Sequence, residues 1–183
     1  MENSNLQASR SLRNLYFVRT FVQLAWAALV FGSLNHPACT AVLLVAYPLW
    51  DVACTLYDMK TSGATAGSRT RFANLVFGLI TALLIALTVS THPSYAIAAF
   101  GAWALVAGAL QLVSGLIRRR QLGGQWAMIL SGAQSSVAGV AFVLGGLSNK
   151  LHAKDLGGYA IFGAIYFCIA AVLLARRLAT ESL

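Results

Sequence analysis

Arg19 and Asp51 carry the clearest chemical consequence in this chain, because each lies inside a long apolar run. A charge left unpaired at the centre of a membrane helix costs about 2.5–3.5 kcal/mol on insertion scales. Arg19 lies about one and a half turns into the first run and Asp51 about two turns before the end of the second, which puts both roughly 8–10 Å from the same rim at 1.5 Å per residue. Arginine can snorkel towards that rim; aspartate is too short to do so. The spacing predicts an Arg19–Asp51 ion pair joining two helices, since buried charges are normally paired. Its functional variant makes Asp51 a proton-accepting switch.

The three histidines, His36, His92 and His152, each fall in or beside a different short turn at the opposite rim. Unperturbed histidine titrates near pH 6.5. That rim also carries Lys150, Lys154 and Asp155, a net charge of +1 (2 − 1), which three protonated histidines raise to +4 (1 + 3). The set is a candidate pH sensor. The plainer reading is that His-Pro makes a turn.

Gln23, Asn74, Gln111, Gln134 and the serines 131, 135 and 136 lie in apolar runs. They either line a narrow hydrated path or hydrogen-bond between helices, the commoner use. Cys39, Cys54 and Cys168 have no metal or disulfide spacing and read as packing residues. The sequence shows no nucleophile–base group, metal cluster or phosphate loop. It therefore predicts no enzyme, no cofactor and no metal.

The elements that must position these residues are helices in lipid. The chain has 183 residues, 58% hydrophobic and only 10% charged. A soluble domain carries charge on about 25% of its residues. A helix crosses a bilayer with about 20 mostly apolar residues. Six such spans are predicted at about 14–34, 38–57, 71–90, 94–117, 125–147 and 156–176. They lack the apolar/polar alternation of barrel strands, so the predicted class is an all-α, six-span membrane protein in one integral domain. An interior proline, Pro48, is expected to free the Leu44 carbonyl and kink span 2.

The net charge of +8 follows membrane topology better than nucleic-acid binding. Of 13 Lys and Arg, all but Lys150 and Lys154 share one side, leaving 11 (13 − 2). The positive-inside rule then places both termini in the cytoplasm. Arg118, Arg119 and Arg120 form a cluster expected to attract anionic lipid, at about 1 kcal/mol per residue.

The spans pair into three tandem hairpins, about 11–60, 67–120 and 121–177. Arg13 aligns with Arg69, His36-Pro37 with His92-Pro93, and Tyr47 with Trp103, at a shift of 56. Phe72 and Gly78 align with Trp126 and Gly132 at a shift of 54. All units share one orientation, unlike the inverted repeats of many transporters. Small residues four apart, Ala104 with Gly108, Gly132 with Ser136 and Ser135 with Gly139, predict tight packing of spans 4 and 5, within one chain or across a homo-oligomer.

Spans 4 and 5 carry Gly101, Trp103, Gly108, Gln111 and Gly115, then Arg118 to Arg120, Gly124, Trp126, Ser131-Gly132, Ser135 and Gly139. This stretch, about 100 to 146, resembles the short repeated membrane domain of HdeD-like proteins, the bacterial acid-resistance membrane family. The six-helix arrangement fits along the whole chain, while Tyr47-Pro48-Leu49-Trp50-Asp51 departs from the pattern. The resemblance implies a bacterial inner-membrane protein, with a role in acid or general stress in some members of the family. It supplies no catalytic residues. Two other readings stand beside it: a small channel or transporter for protons or a solute, and a scaffold or assembly factor bound to anionic lipid or a membrane-protein partner.

Overall fold

The structure is a computed structural model and describes residues 2–62, 68–119 and 125–180. It contains six helices: α1 (Glu2–Ser33), α2 (Pro37–Ser62), α3 (Ser68–Thr88), α4 (Pro93–Arg118), α5 (Gln125–Leu147) and α6 (Ala153–Thr180). Each contains a stretch of 20 to 28 residues long and apolar enough to cross a membrane. There is no strand among the described residues. The chain is a six-span, all-α membrane protein.

Several helices overrun the predicted spans. α1 starts at Glu2 rather than near 14, and α6 runs to Thr180 rather than 176. Hydropathy marks only the stretch that suits lipid. Helical hydrogen bonding continues past it into polar sequence.

Turn chemistry explains the sharp reversals at one end. Pro37 and Pro93 open α2 and α4, where a missing N–H costs nothing. Asn149, at φ 57°, ends α5 in the left-handed region that asparagine tolerates. Its N–H donates to the Gly146 carbonyl at 2.9 Å, and that of Lys150 to Gly145 at 2.7 Å. These bonds use carbonyls that the helix end would otherwise orphan. The His152 N–H then donates to the Asp155 carboxylate at 2.8 Å, one half of a capping box for α6.

Outward-facing side chains are apolar, as lipid requires: Val137 is 73% exposed and Phe21 68%. The helices follow chain order around a ring, closed by α6 against α1. The seams are unequal. α4–α5 and α6–α1 are the most extensive, α2–α3 and α3–α4 are alike, and α1–α2 and α5–α6 are the least extensive. The returning helix of each predicted hairpin thus packs harder on the next hairpin than on its own partner.

The closest seam is α4–α5, and glycines set it. Gly101, Gly108 and Gly115 recur every seven residues on α4, as do Gly132, Gly139 and Gly146 on α5. A Cβ on Gly132 would stand 2.6 Å from the Gly108 carbonyl oxygen, and one on Gly108 would stand 2.8 Å from that of Gly132. Backbone meets backbone here. The predicted packing residues Gly108, Gly132 and Gly139 all lie on this seam, and the Ser136 hydroxyl donates to the Gly132 carbonyl at 2.9 Å. The four-residue pairs Gly132 with Ser136 and Ser135 with Gly139 lie on this seam, within a longer glycine period of seven.

Pro48 is fully buried, and α2 is assigned helical throughout. The Trp26 indole N–H donates to the Leu43 carbonyl at 2.8 Å. That is one residue before the carbonyl predicted to be freed.

Candidate functional site

The Arg19 Nη2 atom lies 2.5 Å from Asp51 Oδ1, and both side chains are largely buried. The Asn74 amide nitrogen donates to the other carboxylate oxygen at 2.6 Å and to the Thr55 hydroxyl at 3.0 Å. The Arg19 guanidinium also sits 4.9 Å above the Phe167 ring. One buried network therefore joins α1, α2, α3 and α6. Both carboxylate oxygens have a donor, which is what a buried charge needs to persist.

A second carboxylate stands seven residues on (58 − 51), on the same face of α2. Asp58 Oδ2 accepts from Arg118 at 2.6 Å and lies 3.6 Å from Arg71 Nη1. Arg118, one of the three arginines expected to attract anionic lipid, thus points into the bundle. Its side chain is largely buried and committed to Asp58. Arg119 is exposed, and Arg120 lies outside the described residues. Sequence reading gave Asp58 no partner. The seven-residue spacing from Asp51 was the available signal.

Between these pairs lies a cavity of about 110 Å³ at the arginine-rich end of the bundle. Besides the five charged groups, its wall includes Tyr16, Thr55, Thr70, Gln111, Ser114 and Gln125. A deeper cavity of about 40 Å³ follows and shares Arg19, Asp51 and Gln111 with the first. A water molecule needs about 10–15 Å³ on this measure, so both can hold water. The deeper wall adds Gln23, Trp50, Trp103, Ser131, Ser135 and Tyr159. Ser135 and Tyr159 hydroxyls share a hydrogen bond of 2.9 Å. Gln111 reaches across the seam to the Met128 carbonyl at 3.2 Å. Gln134 is half-buried and lines neither cavity.

The internal repeat explains why space exists here. Tyr47, Trp103 and Tyr159 are spaced by 56 (103 − 47; 159 − 103), and all three line the deeper cavity. One turn on, the equivalent positions are Asp51, Ala107 and Gly163, and these line it too. Two of three units therefore put a small residue where the first puts a carboxylate. A Cβ on Gly163 would come 2.9 Å from the Gln23 amide oxygen. The third member, Tyr159, escaped sequence reading because the first helices of units two and three align at 54.

An aromatic cluster packs beyond the deeper cavity. Trp26, Tyr47, Phe100, Trp103, Phe142 and Tyr159 form a chain of ring contacts 4.4–6.5 Å apart. Phe100, at its centre, is 0% exposed. The polar chamber thus meets dense apolar packing towards the opposite end.

The three histidines are not part of this chamber. His36, His92 and His152 are exposed in separate turns at that opposite end. His92 lies 5.2 Å from the Tyr95 ring. Replacing all three by Asn should abolish any acid-survival phenotype if they sense pH; unchanged survival would eliminate the sensor. The cysteines do not assemble either: Cys54 is buried beside the Arg19 network, while Cys39 is exposed.

What the arrangement can do is hold paired charge, water and a small hydrogen-bonding solute inside the bundle. No group of three or more His, Cys, Asp or Glu able to hold a metal occurs among the described residues. Compared with protein-family models, curated proteins and solved structures, the chain matches none.

Proposed function

We propose that this is a non-enzymatic inner-membrane protein of the HdeD-like type, with both termini in the cytoplasm and a role in acid or general stress tolerance. The orientation rests on the positive-inside rule, applied to Arg10, Lys60, Arg69, Arg119, Arg176 and Arg177, all exposed at one end. The family reading rests on the residue pattern of α4 and α5. The observation that supports a non-conducting protein is the buried aromatic cluster beyond the chamber, with Phe100 at its centre.

The channel or transporter reading has the chamber itself in its favour, since polar groups extend well into the bundle. Proteoliposomes separate the two. With pH 7 inside and pH 4 outside, wild-type protein should conduct no more protons than empty vesicles. Flux above that background, falling in Asp51→Asn, would replace this reading with a conducting one. The stress role is checked separately, by survival in acid of a strain lacking the gene against a complemented one.

A further inference from the structure

We propose that a cavity between the three turns, at the end opposite the arginines, binds a fatty acid of medium chain length. The acyl chain lies along the axis of the bundle and the carboxylate meets Lys154. The site is separate from the charged chamber and does not depend on the stress reading.

The internal repeat locates the site. The cavity has a volume of about 510 Å³ and takes its lining from all three turns. Ala41, Ile97 and Ala153 are spaced by 56 (97 − 41; 153 − 97), and so are Pro37, Pro93 and Asn149 (93 − 37; 149 − 93). Equivalent positions of the three units therefore border one space, in the middle of the ring rather than on its lipid face. Small-molecule sites commonly enclose about 300–1,000 Å³.

The floor sets the body of the ligand. Leu44 and Ile97 are each 3% exposed and belong to the aromatic core beyond the charged chamber. Val89, Leu151 and Ala153 pack against that core yet stay half-buried, because they also border the cavity. The Thr40 hydroxyl on the wall is already committed to the Ser33 carbonyl at 2.8 Å. Water at such a wall finds few partners. An acyl chain that displaces it gains about fourfold in affinity for each methylene buried. With a methylene taken as the size of a water in the liquid, about 30 Å³, the cavity holds one acyl chain and not the two of a phospholipid.

The rim sets the headgroup. Among the described residues, the ionisable side chains on the lining are Lys154 and His152, both exposed. The neighbouring carboxylate, Asp155, is off the lining and accepts from the His152 N–H at 2.8 Å. Lys154 stands in the first turn of α6, where the helix dipole disfavours a cation. An anionic headgroup offsets that cost. α2 and α4 also begin at this rim, with Pro37 and Pro93, so their positive ends add to the same sign. One ammonium at the mouth of an apolar cavity for one chain is the complement of a monocarboxylate.

The test uses the full chain in phosphatidylcholine nanodiscs, with a photoreactive diazirine analogue of dodecanoic acid and mapping by mass spectrometry. Irradiation should label the axial wall, at Leu44, Ile97 or Leu151. Excess dodecanoate should suppress that labelling, and dodecyltrimethylammonium at the same load should not. Lys154→Gln should raise the half-suppressing concentration of dodecanoate about fivefold, the loss of one basic residue's attraction. Ala41→Phe combined with Ala153→Phe fills the axis and should remove the labelling at an unchanged melting temperature. Four results overturn the proposal: labelling confined to lipid-facing side chains, equal suppression by the cation, capture of a diazirine phospholipid in place of the fatty acid, or unchanged labelling in a folded double Phe variant. An unchanged half-suppressing concentration in Lys154→Gln overturns it as well. If the double variant does not fold, Lys154→Gln decides, since that side chain is exposed. Labelling and proton flux are read separately, so failure here leaves the non-conducting reading standing.

Discussion

Replacing Asp51 by leucine should destabilise the bundle by about 3–5 kcal/mol, and replacing Arg19 by leucine as well should recover most of that loss. The single change strands the Arg19 guanidinium, whose other close neighbours are the Cys54 thiol and the Phe167 ring. It also removes the acceptor of the Asn74 amide. Arg19→Leu alone leaves Asp51 with Asn74 and no countercharge. The double variant removes both charges and fills the space with apolar atoms, which is often near neutral for a buried pair. Unfolding in detergent of the wild type, the two single variants and the double variant measures the coupling. Effects that simply add would mean the contact contributes nothing to stability. Strong coupling with an intact double variant would make the pair a structural join between α1 and α2.

How much of this could be read from sequence differs from residue to residue. The spans were legible because hydropathy in lipid is a strong, one-dimensional signal. Arg19 and Asp51 could be matched because two charges at one depth have few other partners. The chamber was not legible for a physical reason. In a soluble bundle the polar face of each helix points outward and fixes its rotation. In lipid both faces are apolar, so Trp50 and Trp103 could face tails or core with no difference in pattern. Asp58 was assigned no partner because Arg71 and Arg118 sit at helix ends, where arginine ordinarily serves topology. The histidines were legible as turn residues and remain so; their separate placement is what the three turns dictate.

Gly132→Ala should destabilise the protein while Gly32→Ala and Gly158→Ala should leave it unchanged or stabilise it. The three substitutions add the same methyl group inside a helix, where alanine is favoured over glycine by about 1 kcal/mol. Only the surroundings differ. A Cβ at Gly32 or Gly158 meets nothing within 4 Å. At Gly132 it would stand 2.6 Å from both the Gly108 carbonyl oxygen and the Leu112 nitrogen. Those are backbone atoms of α4 and cannot rotate away, so the helices must part. Overpacking of this kind costs about 1–3 kcal/mol and sometimes more, enough to outweigh the propensity gain. Gly132→Leu should go further and yield aggregated protein on size exclusion in detergent. The consequence reaches the chamber, because α4 brings Trp103 and Gln111 to its wall and α5 brings Ser131 and Ser135. A seam widened at Gly132 should therefore move that wall as well. If Gly132→Ala instead melts with the wild type, α4 and α5 do not approach as closely as the heptad of glycines implies, and the chamber wall they share loses its support.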